Sequence, residues 1–383
     1  MEPLTAATAS RVRRVLLLAT LLAACRDGAS IPRDHAARLL IPGTEDAAAV
    51  LVDVDRRGIV GRFGPPLARQ GPLVPTTDRL WVTGGRLPGD ESILLALDVS
   101  TGREAWRITV AQGTVPVPVD GVELGIDAIA SHPTRPEVFL WPAEQGGARG
   151  IAALDLTTRR VVGFVDRVPA NRVRALAAVR SDSAHPDPCL VVAADGFVGQ
   201  QLRAYLLFFC GADLSRRDSM PLSPPTGFVT QLERSPLGSD LVLASNTEVL
   251  VIDPALRQVR WRAVRPLEAG FFTSEADGRV FLADSGTSTL PSSGIIYALD
   301  STLELSAIFD LRSLPRSERT TSIYGGAVSP DGRWVYVIGG VRLDDPAWDP
   351  QETRVMLIEA STGAVGEYLR LGTYGGGRPL VIP

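Results

Sequence analysis

The chain has 383 residues, 45% of them apolar and 21% charged, with a formal net charge of -4; it is long and apolar enough to bury a large core, which excludes disorder over most of its length. All 39 basic residues are Arg and lie scattered along the chain, so binding to nucleic acid driven by counterion release is not expected, and no polybasic membrane patch stands out. The lack of Lys also removes Schiff-base chemistry, Lys general bases and the phosphate-cradling Lys of a P-loop.

At the N-terminus, Arg11, Arg13 and Arg14 precede an apolar run from Val15 to Ala24, well short of the about 20 residues that span a bilayer. Residues 1–24 therefore read as an export signal. The run ends in Leu22-Ala23-Ala24-Cys25, which resembles the lipobox of bacterial lipoproteins; the resemblance implies that Cys25 is acylated and becomes the mature N-terminus. The alternative is an ordinary secretory signal cut nearby, and either way the protein is expected to be exported. Arg26 stands where lipoproteins held at the inner membrane of enteric bacteria carry Asp, which points to the outer membrane, on its periplasmic or surface side, in a Gram-negative host. Residues 25–36 carry Gly, Pro and charges without an apolar period and read as lipidated Cys and tether. Membrane contact is expected through that lipid only, with a folded domain over 37–383.

Within the domain one pattern recurs: an apolar run ends in an acid and is followed by a turn. The acids are Asp53, Asp98, Asp155, Asp213, Asp253, Asp300 and Glu359. Their spacings of 45, 57, 58, 40, 47 and 59 residues are near the roughly 40–50 of a four-stranded propeller blade with some loops enlarged. Each acid is placed to accept backbone N–H groups of the turn after it, so turn chemistry is preferred over catalysis for all of them. Upstream lie apolar partner strands at 38–42, 80–83, 138–141, 190–193, 241–244, 280–283 and 334–338, bounded by Gly, Pro, Asp or Ser. Inner strands precede them, for example 125–131, 173–179, 227–232 and 323–328, while nothing suitable precedes Leu39. The segment GPLVPTTD at 71–78 shares a phrase with GRPLVIP at 377–383, so the C-terminal strand is expected to complete the N-terminal blade and close the ring.

Besides Cys25 the chain holds Cys189 and Cys210. Two strand-like runs between them make a hairpin with its turn near Gly199-Gln200, in which the two Cys fall opposite each other. At about 4.5 Å between Cα atoms, a non-hydrogen-bonded pair lies within disulfide reach. A structural disulfide is expected, with two buried thiols as the alternative.

The segment Ala96-Leu-Asp-Val-Ser-Thr-Gly-Arg-Glu-Ala-Trp106 matches the tryptophan-docking repeat of quinoprotein propellers, and Ser329-Pro-Asp-Gly-Arg-Trp-Val-Tyr336 is similar to a YVTN-type blade opening. Over 37–383 the chain thus resembles the quinoprotein-like (PQQ-like) and YVTN-repeat group. The resemblance implies an all-β fold, a seven-bladed β-propeller of four-stranded antiparallel blades, with Trp106 and Trp261 packed between blades. It does not bring a quinone site with it. The adjacent Cys pair common among the alcohol oxidisers is missing, and seven blades are counted where eight are usual for that enzyme class.

No HExxH, GxSxG, GxGxxG after a strand, or zinc-spaced Cys/His cluster occurs. His132 and His185 sit beside Pro in turn-like segments and read as solvated, with His35 in the tether. Asp344, Asp345 and Asp349 are oxygen ligands that calcium would accept, but their loop lacks the alternation and Gly of a calcium loop; a solvated acidic loop is preferred and no cofactor is assigned. The long insertions, at 84–92, 111–125, 144–150, 284–293, 311–322 and 339–352, all fall between second and third strands or between blades, and therefore on one face. Loops on a rigid scaffold carry binding disproportionately, so that face is read as an interaction surface, with Arg86, Asp90, Arg149, Arg342, Asp344 and Trp348 as candidate contacts. The expected function is a monomeric, non-catalytic interaction or scaffold module with a protein partner in the envelope. The alternatives are a lactonase-like or quinoprotein-like enzyme or small-ligand binder in the funnel, and a glycan-binding surface protein.

Overall fold

The computed structural model describes residues 38–43, 47–67, 69–70, 73–88, 92–98, 100–101, 103–109, 123–143, 150–166, 172–179, 189–198, 201–210, 215–222, 229–236, 240–245, 247–264, 269–274, 278–284, 295–310, 313–314, 320–341, 352–373 and 380–382. These form a seven-bladed β-propeller of antiparallel blades. Four blades show the plan from axis to rim: Glu123–Ser131, Glu137–Ala143, Gly150–Asp155 and Arg160–Asp166 in blade 3; Arg172–Val179, Cys189–Val198, Gln201–Cys210 and Arg216–Pro221 in blade 4; Val229–Arg234, Leu241–Ser245, Glu248–Asp253 and Gln258–Val264 in blade 5; Thr320–Val328, Trp334–Val341, Glu352–Glu359 and Val365–Thr373 in blade 7. Blade 6 runs Ala269–Thr273, Val280–Asp284, Ile295–Leu299 and Leu305–Asp310. In blade 2 the inner strand is broken into Arg69–Gln70 and Val74–Pro75, both paired to Leu80–Arg86, which is followed by Ser92–Asp98 and Glu104–Thr109.

Blade 1 is built from both ends of the domain. Its inner strand is Leu380–Ile382, in register Arg38↔Ile382 and Leu40↔Leu380 against Arg38–Pro42, followed by Ala49–Asp53 and Gly58–Phe63. The expected closure is therefore present, and it pairs the edge that an open ring would leave exposed.

Second and third strands are buried along nearly their whole length; every residue of Leu241–Ser245 is buried, whereas the rim strand Gly58–Phe63 is only intermittently covered. A middle strand has a neighbouring blade against each face, so both side-chain sets need to be apolar and the sequence shows continuous runs instead of alternation. The core is accordingly a set of layers between blades. One layer joins Leu39, Ile41, Val50 and Val52 of blade 1 to Trp334, Tyr336, Ile338 and Val355 of blade 7, across the seam where the chain ends meet.

In six blades the third-to-fourth pairing slips by one residue just after the turn, for example Leu51↔Gly61 but Val52↔Ile59, and Ala153↔Gly163 but Leu154↔Val161. A bulge residue opposes no partner and is turned away from the ladder. This accounts for Val60 and Val162, two exposed large hydrophobic residues, 44% and 56% accessible. The same slip aims the residue after the bulge inward. Trp106 is thereby packed with Leu154 and Leu156 of blade 3, and Trp261 against the layer shared with Val280 and Leu282 of blade 6. Both Trp residues thus lie between blades, as expected.

Candidate interaction face

Because the strands alternate in direction, connections from first to second and from third to fourth strands share one face. Connections from second to third strands and from blade to blade share the other. Among the described residues the first, plain face is made of tight turns, several of whose charged groups pair with one another; its longest connection, 180–188 in blade 4, lies outside them.

On the plain face the repeated acids cap their turns. Asp98 Oδ1 accepts the N–H groups of Ser100 and Thr101 at 2.9 and 2.8 Å and both hydroxyls at 2.5 and 3.0 Å. Asp53 accepts Arg56 N–H at 2.9 Å, Asp155 accepts Thr158 N–H at 2.6 Å, and Asp253 accepts Ala255 and Leu256 N–H at 2.8 and 2.9 Å. Asp300 accepts the Thr302 hydroxyl at 2.7 Å and two backbone N–H groups, while Glu359 takes the Thr362 hydroxyl at 2.8 Å. Bonds of this kind favour the ionised form. The Ser100 hydroxyl and Thr101 N–H hold Asp98 below the usual carboxylate range, and Thr158 and Thr302 do the same for Asp155 and Asp300. Asp213 lies outside the described residues.

The first-to-second turns carry a second repeat that the apolar pattern did not reveal. The residue closing the inner strand donates its N–H to the carbonyl that opens the next strand: Thr76 to Leu80, His132 to Glu137, Ser235 to Asp240, Ser274 to Arg279 and Ser329 to Trp334, at 2.8–2.9 Å. His132 occupies this position, and here the expectation of a solvated ring is wrong, since it is 3% exposed. Its Nδ1 accepts the N–H groups of Thr134 and Arg135 at 3.2 and 3.1 Å, and the Arg135 guanidinium stands 3.0–3.1 Å from Nε2. A protonated ring has no acceptor for these donors. Burial, then the Arg135 charge, push its pKa down to about 4. Arg135 also pairs with buried Glu137 at 3.3 Å, whose carboxyl burial pushes up. His132 is thus a neutral structural acceptor. His185 and His35 lie outside the described residues.

Several turn Arg residues clamp adjacent blades. The Arg257 guanidinium lies 3.6 Å over the Phe208 ring and its Nε sits 3.0 Å from Asp218 Oδ2, both in blade 4. Arg159 lies 5.9 Å over Trp106 of blade 2, and Arg279 donates to the Gly332 carbonyl of blade 7 at 3.2 Å. A cleft of about 410 Å³ between blades 6 and 7 opens beside Arg279. Two of its lining hydroxyls are already bonded, Ser306 to the Ala298 carbonyl and Thr362 to Glu359.

The elaborated face receives the connections 87–91, 110–122, 144–149, 285–294, 311–319 and 342–351, bracketed by the strands given above. Arg86, expected in a loop, instead ends the strand Leu80–Arg86, paired with both Ser92 and Arg69. The reason is that the blade 2 hairpin keeps its register beyond the Gly pair, shortening the loop to 87–91. Asp90, Arg149, Arg342, Asp344 and Trp348 lie outside the described residues, as do Asp345, Asp349 and Cys25. Among the described residues no three His, Cys, Asp or Glu side chains converge as metal ligands. At the elaborated end of blade 5, Glu248 is fully buried with Arg262 Nε 3.1 Å from its Oε2. In blade 7, Thr353 and Arg354 are buried where the 342–351 connection re-enters the sheet. No period or motif marks these groups, because their burial comes from neighbouring blades.

Cys189 and Cys210 are joined in a disulfide with Cα atoms 4.1 Å apart. They are directly opposite in a hairpin whose register ends at Val198↔Gln201, as expected.

The fold is shared with solved structures. The chain superposes on the Dos1 propeller with a TM-score of 0.51 at 14% identity, covering 78% of this chain and 73% of that one. With dihydro-heme d1 dehydrogenase NirN the TM-score is 0.53 at 13% identity, covering 90% and 74%. Likeness at such identities shows the fold alone. No family model matches the sequence, and no curated protein matches it.

Proposed function

We propose that this chain is a lipid-anchored cell-envelope β-propeller of the PQQ-like/YVTN-repeat group, acting as a non-catalytic protein-interaction or scaffold module. The observation that carries the reading is the asymmetry of the two faces. On the plain face the polar side chains cap turns or clamp blades, so the described turns leave few groups to recognise a ligand. Six long connections gather on the other face, against 180–188 alone on this one, and a rigid ring holds them for contact. Cys25 is the lipidation site, residues 1–24 the export signal and 25–36 the tether. The 342–351 connection, with Arg342, Asp344 and Trp348, supplies a Trp beside Arg and carboxylates, the composition of an interaction hot spot. Blade-packing Trp106 and Trp261 support the repeat type, and seven blades without an adjacent Cys pair weigh against a quinone enzyme.

The test is co-purification from gently solubilised native envelope, with an affinity tag after Pro383 on a Gly-Ser linker so that Leu380–Ile382 stays paired. A stoichiometric protein partner that is lost when 342–351 is replaced by Gly-Ser is the expected result. Recovery of the chain alone from both preparations overturns the reading and favours a small ligand in the funnel.

A further inference from the structure

Strand direction decides which face the tether leaves. In every blade the second strand starts on the plain face, and in blade 1 that strand is Arg38–Pro42, whose first residue pairs with Ile382 near the chain's other end. The chain therefore enters Arg38–Pro42 at the plain face. From this, and resting on the anchor and the interaction face proposed above, we infer that the ring rides with its plain face toward the bilayer and its elaborated face away. Its partner is then a protein domain that stands off the membrane by at least the thickness of the ring.

Reach supports this orientation. Blade strands of 5–10 residues give a ring roughly 25 Å thick, and two further strands separate Arg38–Pro42 from the rim by about 10 Å. Turning the elaborated face to the bilayer would thus ask the tether to cover roughly 35 Å around the rim. Residues 26–37 span at most about 40 Å fully extended, so that arrangement forces the tether nearly straight, at a cost in chain entropy. The plain face asks for no such extension. Its charges also suit a face that recruits no protein. Arg56 pairs with Asp53, Arg135 with Glu137, Arg260 with Asp240 and Arg333 with Glu359, each within 4 Å.

The experiment uses the full lipidated chain, reconstituted into vesicles of phosphatidylethanolamine and phosphatidylglycerol carrying a headgroup energy acceptor. A donor dye is attached from outside to a single introduced thiol, Thr157→Cys on the plain face or Pro88→Cys on the elaborated face. Both positions are exposed, and Arg56→Cys gives an independent plain-face probe. Energy transfer several-fold stronger from Thr157→Cys and Arg56→Cys than from Pro88→Cys is expected. Equal or reversed transfer overturns the orientation. Vesicle flotation separates the two levels: if Cys25→Ser floats as well as the native chain, or if neither floats, the anchor fails and the orientation with it. If only the native chain floats and transfer is equal, the orientation alone fails.

Discussion

At the scale of single residues, the turns show how backbone conformation and inter-blade packing share one position. Arg57, Arg159 and Arg257 adopt φ of 57°, 58° and 55°, a left-handed conformation that favours Gly. Two of these Arg side chains reach aromatic rings of the preceding blade, which offsets the local cost. Arg257→Ala is expected to lower stability by about 1 kcal/mol, the combined scale of a cation–π contact and a partly exposed ion pair, read as a shift in the urea midpoint. Gly363 is the contrasting case, with φ of 69° and a position where an added Cβ would stand 2.0 Å from the Ile308 carbonyl oxygen of blade 6. Gly363→Ala should therefore cost more than about 2 kcal/mol, because backbone faces backbone there and neither yields cheaply. His132 adds a pH dependence. The unfolded chain takes up this proton near pH 6.5, the folded one only near 4, so the contribution is complete above pH 6.5 and drains as pH falls toward 4. Wild type should lose up to about 3 kcal/mol over that window, and His132→Gln should flatten the profile when melting temperature is followed against pH. These residue-level facts were the least legible in advance. A His-Pro dipeptide looks like a solvated turn, and only the layer beneath it, with Phe139 at 5.8 Å ring to ring, reveals burial.

At the scale of elements, the period of apolar runs carried most of the information. Middle strands are covered on both faces, so their composition announced them, and the acids that end third strands were readable as caps because the turn needs an acceptor there. The bulges were not readable, since one unpaired residue leaves no mark on an apolar run. They nonetheless decide that Val60 and Val162 point outward while Trp106 and Trp261 point inward. Blade 4 pairs its third and fourth strands without a slip, and it is also the blade that carries the disulfide. Replacing Cys189 and Cys210 together by Ala should cost on the order of 3 kcal/mol for a separation of 21 residues. Thermal unfolding of the variant beside the oxidised wild type checks this, and reduction of the wild type should lower its melting temperature to match.

For the whole molecule, closure is the controlling feature. The inner strand of blade 1 is only Leu380–Ile382, yet by pairing with Arg38–Leu40 it joins the chain's two ends. Removing residues 380–383 should expose the edge of Arg38–Pro42 and raise the mass of the species in solution above that of the intact chain, measured by size-exclusion chromatography with light scattering. The ring also gathers onto one plain face the Arg–acid pairs that individual blades make, Arg56–Asp53, Arg135–Glu137, Arg260–Asp240 and Arg333–Glu359. The same geometry collects six long connections on the opposite face and brings the chain into Arg38–Pro42 from the plain one.

By itself the sequence determined the all-β class, the seven repeats, the closing strand and the cysteine pairing. Those follow from local periods and from register within one hairpin, which neighbouring residues specify. Only the tertiary structure decided that His132 is buried, that Arg86 belongs to a strand, which bulge residues face outward, and which blades the Arg side chains bridge. Each of these depends on contacts between blades whose residues lie far apart along the chain, and packing across such seams has no period to read.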